Sequence, residues 1–255
     1  TLAANRKLQS MPFQLFKSLD KKVEEDKKRL LSELKSADIK TLIIQMDNNE
    51  PISENIVKKQ KRDMSFGSED SPSWFAYRVS DELSDKNQKT ELIKLLSDEE
   101  FEKHKKHILR CLSSLCVNNQ DYELFDFLIS SIKQSNNEDF ITTVLSRLRD
   151  LKKPETLNIE FLKFLLTDGT YQNRIDALSG LQNSQHSDIE ELLIQEFKRA
   201  DQHTKEMICA TLRTTGTDKC FGVLDEEYKR TRSNTLKYFI ESAKEKIKKR
   251  KNISS

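Results

Sequence analysis

From about Lys86 to Lys251 the apolar positions of this chain fall into paired stripes that recur roughly every 30–35 residues. Leu124, Phe125, Leu128, Ile129 and Ile132 follow the spacing of one helix face. Phe140, Ile141, Val144, Leu145, Leu148 and Leu151 answer them from the next stripe. Ile159, Leu162, Phe164, Leu165 and Leu166 are answered in the same way by Ile175, Leu178 and Leu181. The pattern predicts helix pairs near 86–97 with 100–117, 121–134 with 138–151, 156–168 with 171–183, 187–200 with 202–215, and 219–231 with 233–250. Burying three or four large aliphatic side chains per helix contributes ~1.5–3 kcal/mol each. Ordering the helix offsets most of that, so one pair would not stand alone and stacking is required.

The first third lacks this period. Residues 12–36 read as one charged helix with an intermittent stripe of Phe13, Phe16, Leu19, Val23, Leu30, Leu31 and Leu34. Asp38 is placed to cap a second helix reaching Met46, which Asn48-Asn49-Glu50-Pro51 terminates. Residues 53–62 form a basic helix candidate, and 65–72 read as a loop or linker. Ser71-Pro72 has the form of an N-cap followed by proline in the first turn of a helix over 73–83. On that helix Trp74, Tyr77 and Leu83 are helix-spaced and expected to pack inward.

Composition supports a thin helical assembly. Apolar residues are 35% and charged residues 34% of 255, with mean hydropathy −0.72, too polar for one thick core. Only five glycines and four prolines interrupt the chain, which disfavours a β-rich fold. Apolar runs such as Leu42-Ile43-Ile44 fall far short of the ~20 residues that span a bilayer, so no membrane partner is expected. Cys111, Cys116, Cys209 and Cys220 form no CxxC pair, and three sit among aliphatic residues. They are expected to be buried free thiols in a reducing, cytoplasmic setting. The chain opens at Thr1 without methionine, as a processed form or a piece of a longer chain would.

Two segments carry a resemblance. Arg174-Ile175-Asp176-Ala177-Leu178-Ser179-Gly180-Leu181 continues to Asp188-Ile189-Glu190-Glu191-Leu192-Leu193. Thr204 to Leu212 continues through Gly216-Thr217-Asp218 to Val223-Leu224. Both resemble HEAT repeats, whose second helix ends in small and aliphatic residues before a Gly-centred turn and an acidic start to the next stripe. The resemblance implies an all-α fold: a right-handed α-solenoid of about five helix pairs over 73–255, preceded by an irregular helical N-terminal region with a linker over 1–72. It also implies a concave face lined by second helices, in a family whose members serve mostly as scaffolds and binding platforms.

Charge divides between the two helix sets. Residues 101–117, 138–152, 171–185, 202–216 and 234–251 together carry about +9. Residues 86–98, 121–133, 153–169, 187–201 and 218–232 carry about −5. With the family geometry the concave face is basic, through Lys106, Arg110, Arg147, Arg149, Arg174, Lys205, Arg213 and Lys237. More than half of the excess comes from the terminal helix, where lysines complement the helix dipole and solvate an exposed end.

The expectation is therefore a non-catalytic scaffold that holds an acidic protein partner on that face, with no cofactor. The alternative is a nucleic-acid-binding solenoid similar to the HEAT-like alkylpurine DNA glycosylases, which use a basic concave groove. Those enzymes need groove aromatics and a carboxylate. Here the lone Trp74 precedes the repeats, and the second helices offer just Asp139, Asp150 and Asp176 as groove aspartates. A regulatory or lyase-like helical enzyme subunit is a third class. Glu100, His104, His107 and Cys111 share one helix side, but flanking Lys103, Lys105 and Lys106 disfavour a cation there, and no metal site is expected. No phosphate-binding loop, nucleophile elbow or HExxH occurs.

Overall fold

The computed structural model describes residues 2–65, 67–135 and 137–253, with side chains described from residue 17 onward to 252 within those ranges. The expected stripe positions Phe13 and Phe16 lie outside the described side chains. Among the described residues the regular structure is helical: fourteen α-helices, three short 3-10 turns and one isolated parallel bridge. No helix among them is long and apolar enough to cross a membrane. The chain divides into two compact units, 1–111 and 112–255. The compositional boundary at 72 falls within the first unit.

The N-terminal unit contains α1 (Leu2–Ser36), α2 (Ile39–Gln45), α3 (Glu54–Asp63), α4 (Pro72–Asp81) and α5 (Gln88–Leu95). Local signals set most of these ends. The Asp38 carboxylate accepts the Thr41 backbone N–H at 2.9 Å, and Ser53 caps α3 through the Ile56 N–H. Proline occupies the first turn of α4 after Ser71. α1 packs on α3 and α4, and α2 packs on α4, around Val23, Leu34, Ile43, Ile56 and Ala76.

Two features differ from the sequence reading. The segment 65–72 is tied down: buried Asp70 pairs with Lys27 at 2.9 Å and accepts from Gln60 at 3.1 Å. The buried face of α4 is Phe75, Ala76 and Val79, while Trp74 and Tyr77 are half-buried and Leu83 lies beyond the helix end. The Arg78 guanidinium covers the Trp74 ring at 4.6 Å, and the Phe75 ring meets it edge-on at 4.9 Å.

The division between units falls inside α6 (Lys105–Asn119), which a 3-10 turn at Glu99–His104 introduces. The C-terminal unit then runs through α7 (Tyr122–Ser135), α8 (Glu138–Leu148), α9 (Glu160–Asp168), α10 (Tyr171–Gly180), α11 (Ile189–Arg199), α12 (Gln202–Thr215), α13 (Phe221–Arg230) and α14 (Asn234–Ile253). Every helix expected from the apolar stripes in this stretch is present. α8, α10, α12 and α14 pack each on the next, and α7, α9, α11 and α13 each pack on the helix that follows them. Gly180 allows one of these close approaches: a Cβ there would lie 3.2 Å from side-chain carbons of both Leu145 on α8 and Leu162 on α9.

All four cysteines are buried free thiols. Burial pushes Cys111, Cys209 and Cys220 each up to about 12, so none is a reactive thiolate near neutral pH.

Candidate functional site

The C-terminal ends of the even-numbered helices are stitched together by their loops. Lys152 donates its backbone N–H to the Gln120 side chain at 3.3 Å. The next residue, Lys153, bridges to the loop after α10: its N–H reaches the Asn183 carbonyl at 3.1 Å, and its own carbonyl accepts from Gln185 at 2.8 Å. Asn183 adopts φ 60°, which turns its amide toward the Arg149 carbonyl at 2.9 Å and its backbone N–H toward the Thr214 hydroxyl at 2.9 Å. Arg250 on α14 completes the seam by donating to the Thr214 carbonyl and, at 2.6 Å, to the Gly216 carbonyl.

Lys153 is the unexpected member. It is fully buried, and its ammonium donates to the carbonyls of Leu148, Leu151 and Gln182, each at 2.8 Å. Helix ends leave carbonyls without partners, and this one side chain serves the ends of α8 and α10 together. Burial pulls its pKa down to about 7. In the sequence it is only one more lysine before Pro154.

Beside this seam lies a recess of about 600 Å³, lined by Arg149, Asn183, Met207, Arg213, Lys246 and Arg250 among others. A second recess, about 620 Å³, shares Asn183, Thr214 and Arg250 with it and adds Lys152 and Lys251. Arg213 on α12, Lys246 and Arg250 on α14 and Arg149 at the end of α8 thus place cations around one depression. Arg149 is exposed and its guanidinium stands 3.5 Å from Asp150. Arg213 is half-buried and makes no ion pair among the described residues. Lys246 is exposed.

Of the eight cations expected to line a basic face, Arg149 and Arg213 share this recess. The others have local roles. Arg147 donates to the Ser114 hydroxyl at 3.1 Å and to Asp150 at 3.3 Å. Arg174 donates to the Gly169 carbonyl at 3.1 Å, closing the turn before its own helix. Lys205 is paired with Glu227 at 2.9 Å, and Lys237 stands over the Tyr228 ring at 5.3 Å. Lys106 and Arg110 belong to the N-terminal unit, where Lys106 is exposed and Arg110 is bonded to Asp81 at 2.7 Å. The helix-end cations Lys246 and Arg250, assigned from sequence to the solvated end of the chain, are part of the recess.

Of the three second-helix aspartates, Asp176 is buried. It accepts from the Thr142 hydroxyl at 2.6 Å and from Gln172 at 3.1 Å, linking α8 to α10. Its burial raises its pKa against the lowering effect of those two bonds. Asp139 is exposed, and Asp150 pairs with Arg147.

The N-terminal unit holds a polar cluster of which sequence spacing grouped only the two histidines, without Asp47. His104 and His107, flanked in sequence by Lys103, Lys105 and Lys106, are 5% and 6% exposed and both bond to Asp47. Asp47 stands 57 residues before His104, so helical periodicity carries no trace of the contact. Burial alone would raise the Asp47 pKa, but the bonds from His107 and His104 outweigh it and hold the carboxyl below its usual range.

The fold and the recess define an all-helical chain with a cationic depression at the ends of successive packed helices. Comparison with known protein families, curated proteins and solved structures found no match.

Proposed function

We propose that this protein is a non-catalytic binding scaffold whose C-terminal unit holds an acidic protein segment in the cationic recess. The reading treats the consecutive packing of α8, α10, α12 and α14 as a HEAT-like right-handed solenoid of helix pairs, with the even-numbered helices forming its inner face. The observation that carries it is the convergence of Arg149, Arg213, Lys246 and Arg250 on one depression of about 600 Å³. Like charges gathered without acidic lining groups create a positive potential that recruits an anionic partner. The loop seam beneath holds the recess in shape, so little ordering is needed on binding.

The buried state of Asp176, bonded to Thr142 and Gln172, disfavours a glycosylase-like role for it, since no carboxylate is presented to a substrate in the recess. The recess chemistry also suits a phosphate backbone, and one experiment separates the two classes. A labelled acidic peptide, a neutral analogue and a labelled DNA duplex are titrated across a salt series. Tight, selective binding of the acidic peptide supports the proposal. Stronger binding of the duplex, with a steep salt slope, assigns the recess to nucleic acid instead. No binding of either at low salt removes the recess as a partner site.

A further inference from the structure

We infer that Asp47, His104 and His107 form a binding site for a divalent transition-metal ion of the zinc class. Each side chain offers one ligand atom, and the three atoms lie within 4.8 Å of one another. His104 presents Nδ1 at 2.6 Å from Asp47 Oδ2, and His107 presents Nε2 at 2.7 Å from Asp47 Oδ1. Zinc accepts such a nitrogen and carboxylate set at roughly 2.0–2.2 Å per ligand, which places ligand atoms roughly 3.3 Å apart in a tetrahedron. The nitrogens therefore need to withdraw from the carboxylate by less than about 1 Å, and the widest separation among the three atoms, no more than 4.8 Å, has to close toward that spacing. Asp47 is exposed and free of the packing that fixes the two imidazoles, so it can make that adjustment.

The surroundings supply the remaining parts of a metal site. Tyr77 places its hydroxyl 3.1 Å from Nδ1 of His107, the ring nitrogen turned away from Asp47. A hydroxyl there can donate to Nδ1 while Nε2–H serves Asp47, or accept from Nδ1–H once Nε2 is freed for a metal, so it can act as an outer partner in the metal-bound form. Tyr77 is itself held by the Arg110 guanidinium at 4.9 Å from its ring, and Arg110 by Asp81. On its open side Asp47 and His104 border a recess of about 490 Å³ that Asn48 and Glu100 also line. The ion has access from there, and its fourth position falls to water. Cys111 is not a ligand: it is fully buried, and burial keeps it a neutral thiol.

The ion and the hydrogen-bonded arrangement are two loadings of the same three atoms. With zinc bound, each imidazole carries its proton on the nitrogen facing away from the ion. For His107 that N–H then donates to the Tyr77 oxygen.

The test is a titration of the chelator-treated full chain with zinc chloride by calorimetry, paired with thermal unfolding in zinc and in chelator. The expected result is one zinc per chain and a higher Tm in zinc. Cobalt substitution should give ligand-field bands without a thiolate charge-transfer band. Combined His104→Ala and His107→Ala should abolish binding, and Tyr77→Phe should weaken it about 10–100-fold with an unchanged circular dichroism spectrum. A folded wild-type chain that takes up no stoichiometric zinc overturns the inference, as does zinc uptake that both variants leave unchanged. If the histidine variant fails to fold, Tyr77→Phe decides alone.

Discussion

Lys153 donates its ammonium to the Leu148 carbonyl at 2.8 Å and so closes the end of α8 from the following loop. The same nitrogen serves Leu151 and Gln182, which makes one buried cation the common cap of two neighbouring helices. Removing it strands the Leu151 and Gln182 carbonyls, each worth about 1 kcal/mol or more when left unpaired, while the Leu148 carbonyl keeps the Leu151 backbone N–H at 3.1 Å. Lys153→Met keeps the length and removes the donors, so a loss of about 2 kcal/mol in denaturant unfolding is expected. A variant as stable as the wild type would mean that those carbonyls find other partners at no cost.

The same residue gives a pH dependence with a definite sign. Its folded pKa of about 7 lies below the ordinary lysine value of 10.5. Between those values the unfolded chain binds the extra proton, so stability rises with pH through this window. The contribution approaches about 1.4 kcal/mol per pH unit once the folded form is deprotonated. Unfolding free energies of wild type and Lys153→Met, measured from pH 7 to 9, should diverge in that direction. Parallel curves would show that the three carbonyls keep the ammonium charged throughout.

Asp176 works in the opposite sense. Burial raises its folded pKa above 3.8, so the folded state binds the extra proton just above that pH. The stability this contributes is present at low pH and fades as pH rises through the folded value. Relative to Asp176→Asn, the wild type should therefore lose stability as pH is raised from about 4 toward neutrality. A difference between the two proteins that does not change with pH would mean the carboxyl titrates normally.

Gly180 and Gly222 make a matched pair. Alanine at 180 meets Leu145 and Leu162 at 3.2 Å, and overpacking of this kind costs about 1–3 kcal/mol. At Gly222 on α13 an added Cβ meets nothing within 4 Å, so alanine should stabilise by up to about 1 kcal/mol through helix propensity. Thermal melts of the two single variants should move in opposite directions. A neutral Gly180→Ala would show that α8, α9 and α10 separate easily at that point.

The helices themselves were legible because their signals are local. Asp38, Ser53 and Ser71-Pro72 sit where the caps fall, and the alternating stripes mark each helix from α5 to α14. Parts of the site were not legible because they depend on residues brought together from afar. Lys153 reads as one charge among many until Gln182 lies beside it, and His104 reads as a histidine among lysines until Asp47 closes on it. Counting charge by helix found Arg149 and Arg213 but could not separate them from Arg147 and Lys205. Those last two are held by Ser114 and Asp150, and by Glu227.

Charge reversal in the recess tests the scaffold reading most directly. Arg149→Glu combined with Arg213→Glu changes four units of charge at positions outside the loop seam's side-chain bonds, so the melting curve should stay close to wild type. Affinity for an acidic peptide, measured by fluorescence anisotropy at low salt, should fall at least tenfold, and a lysine-rich counterpart peptide should gain affinity. Unchanged affinity for the acidic peptide in a folded double variant would contradict the proposed recess as the binding site.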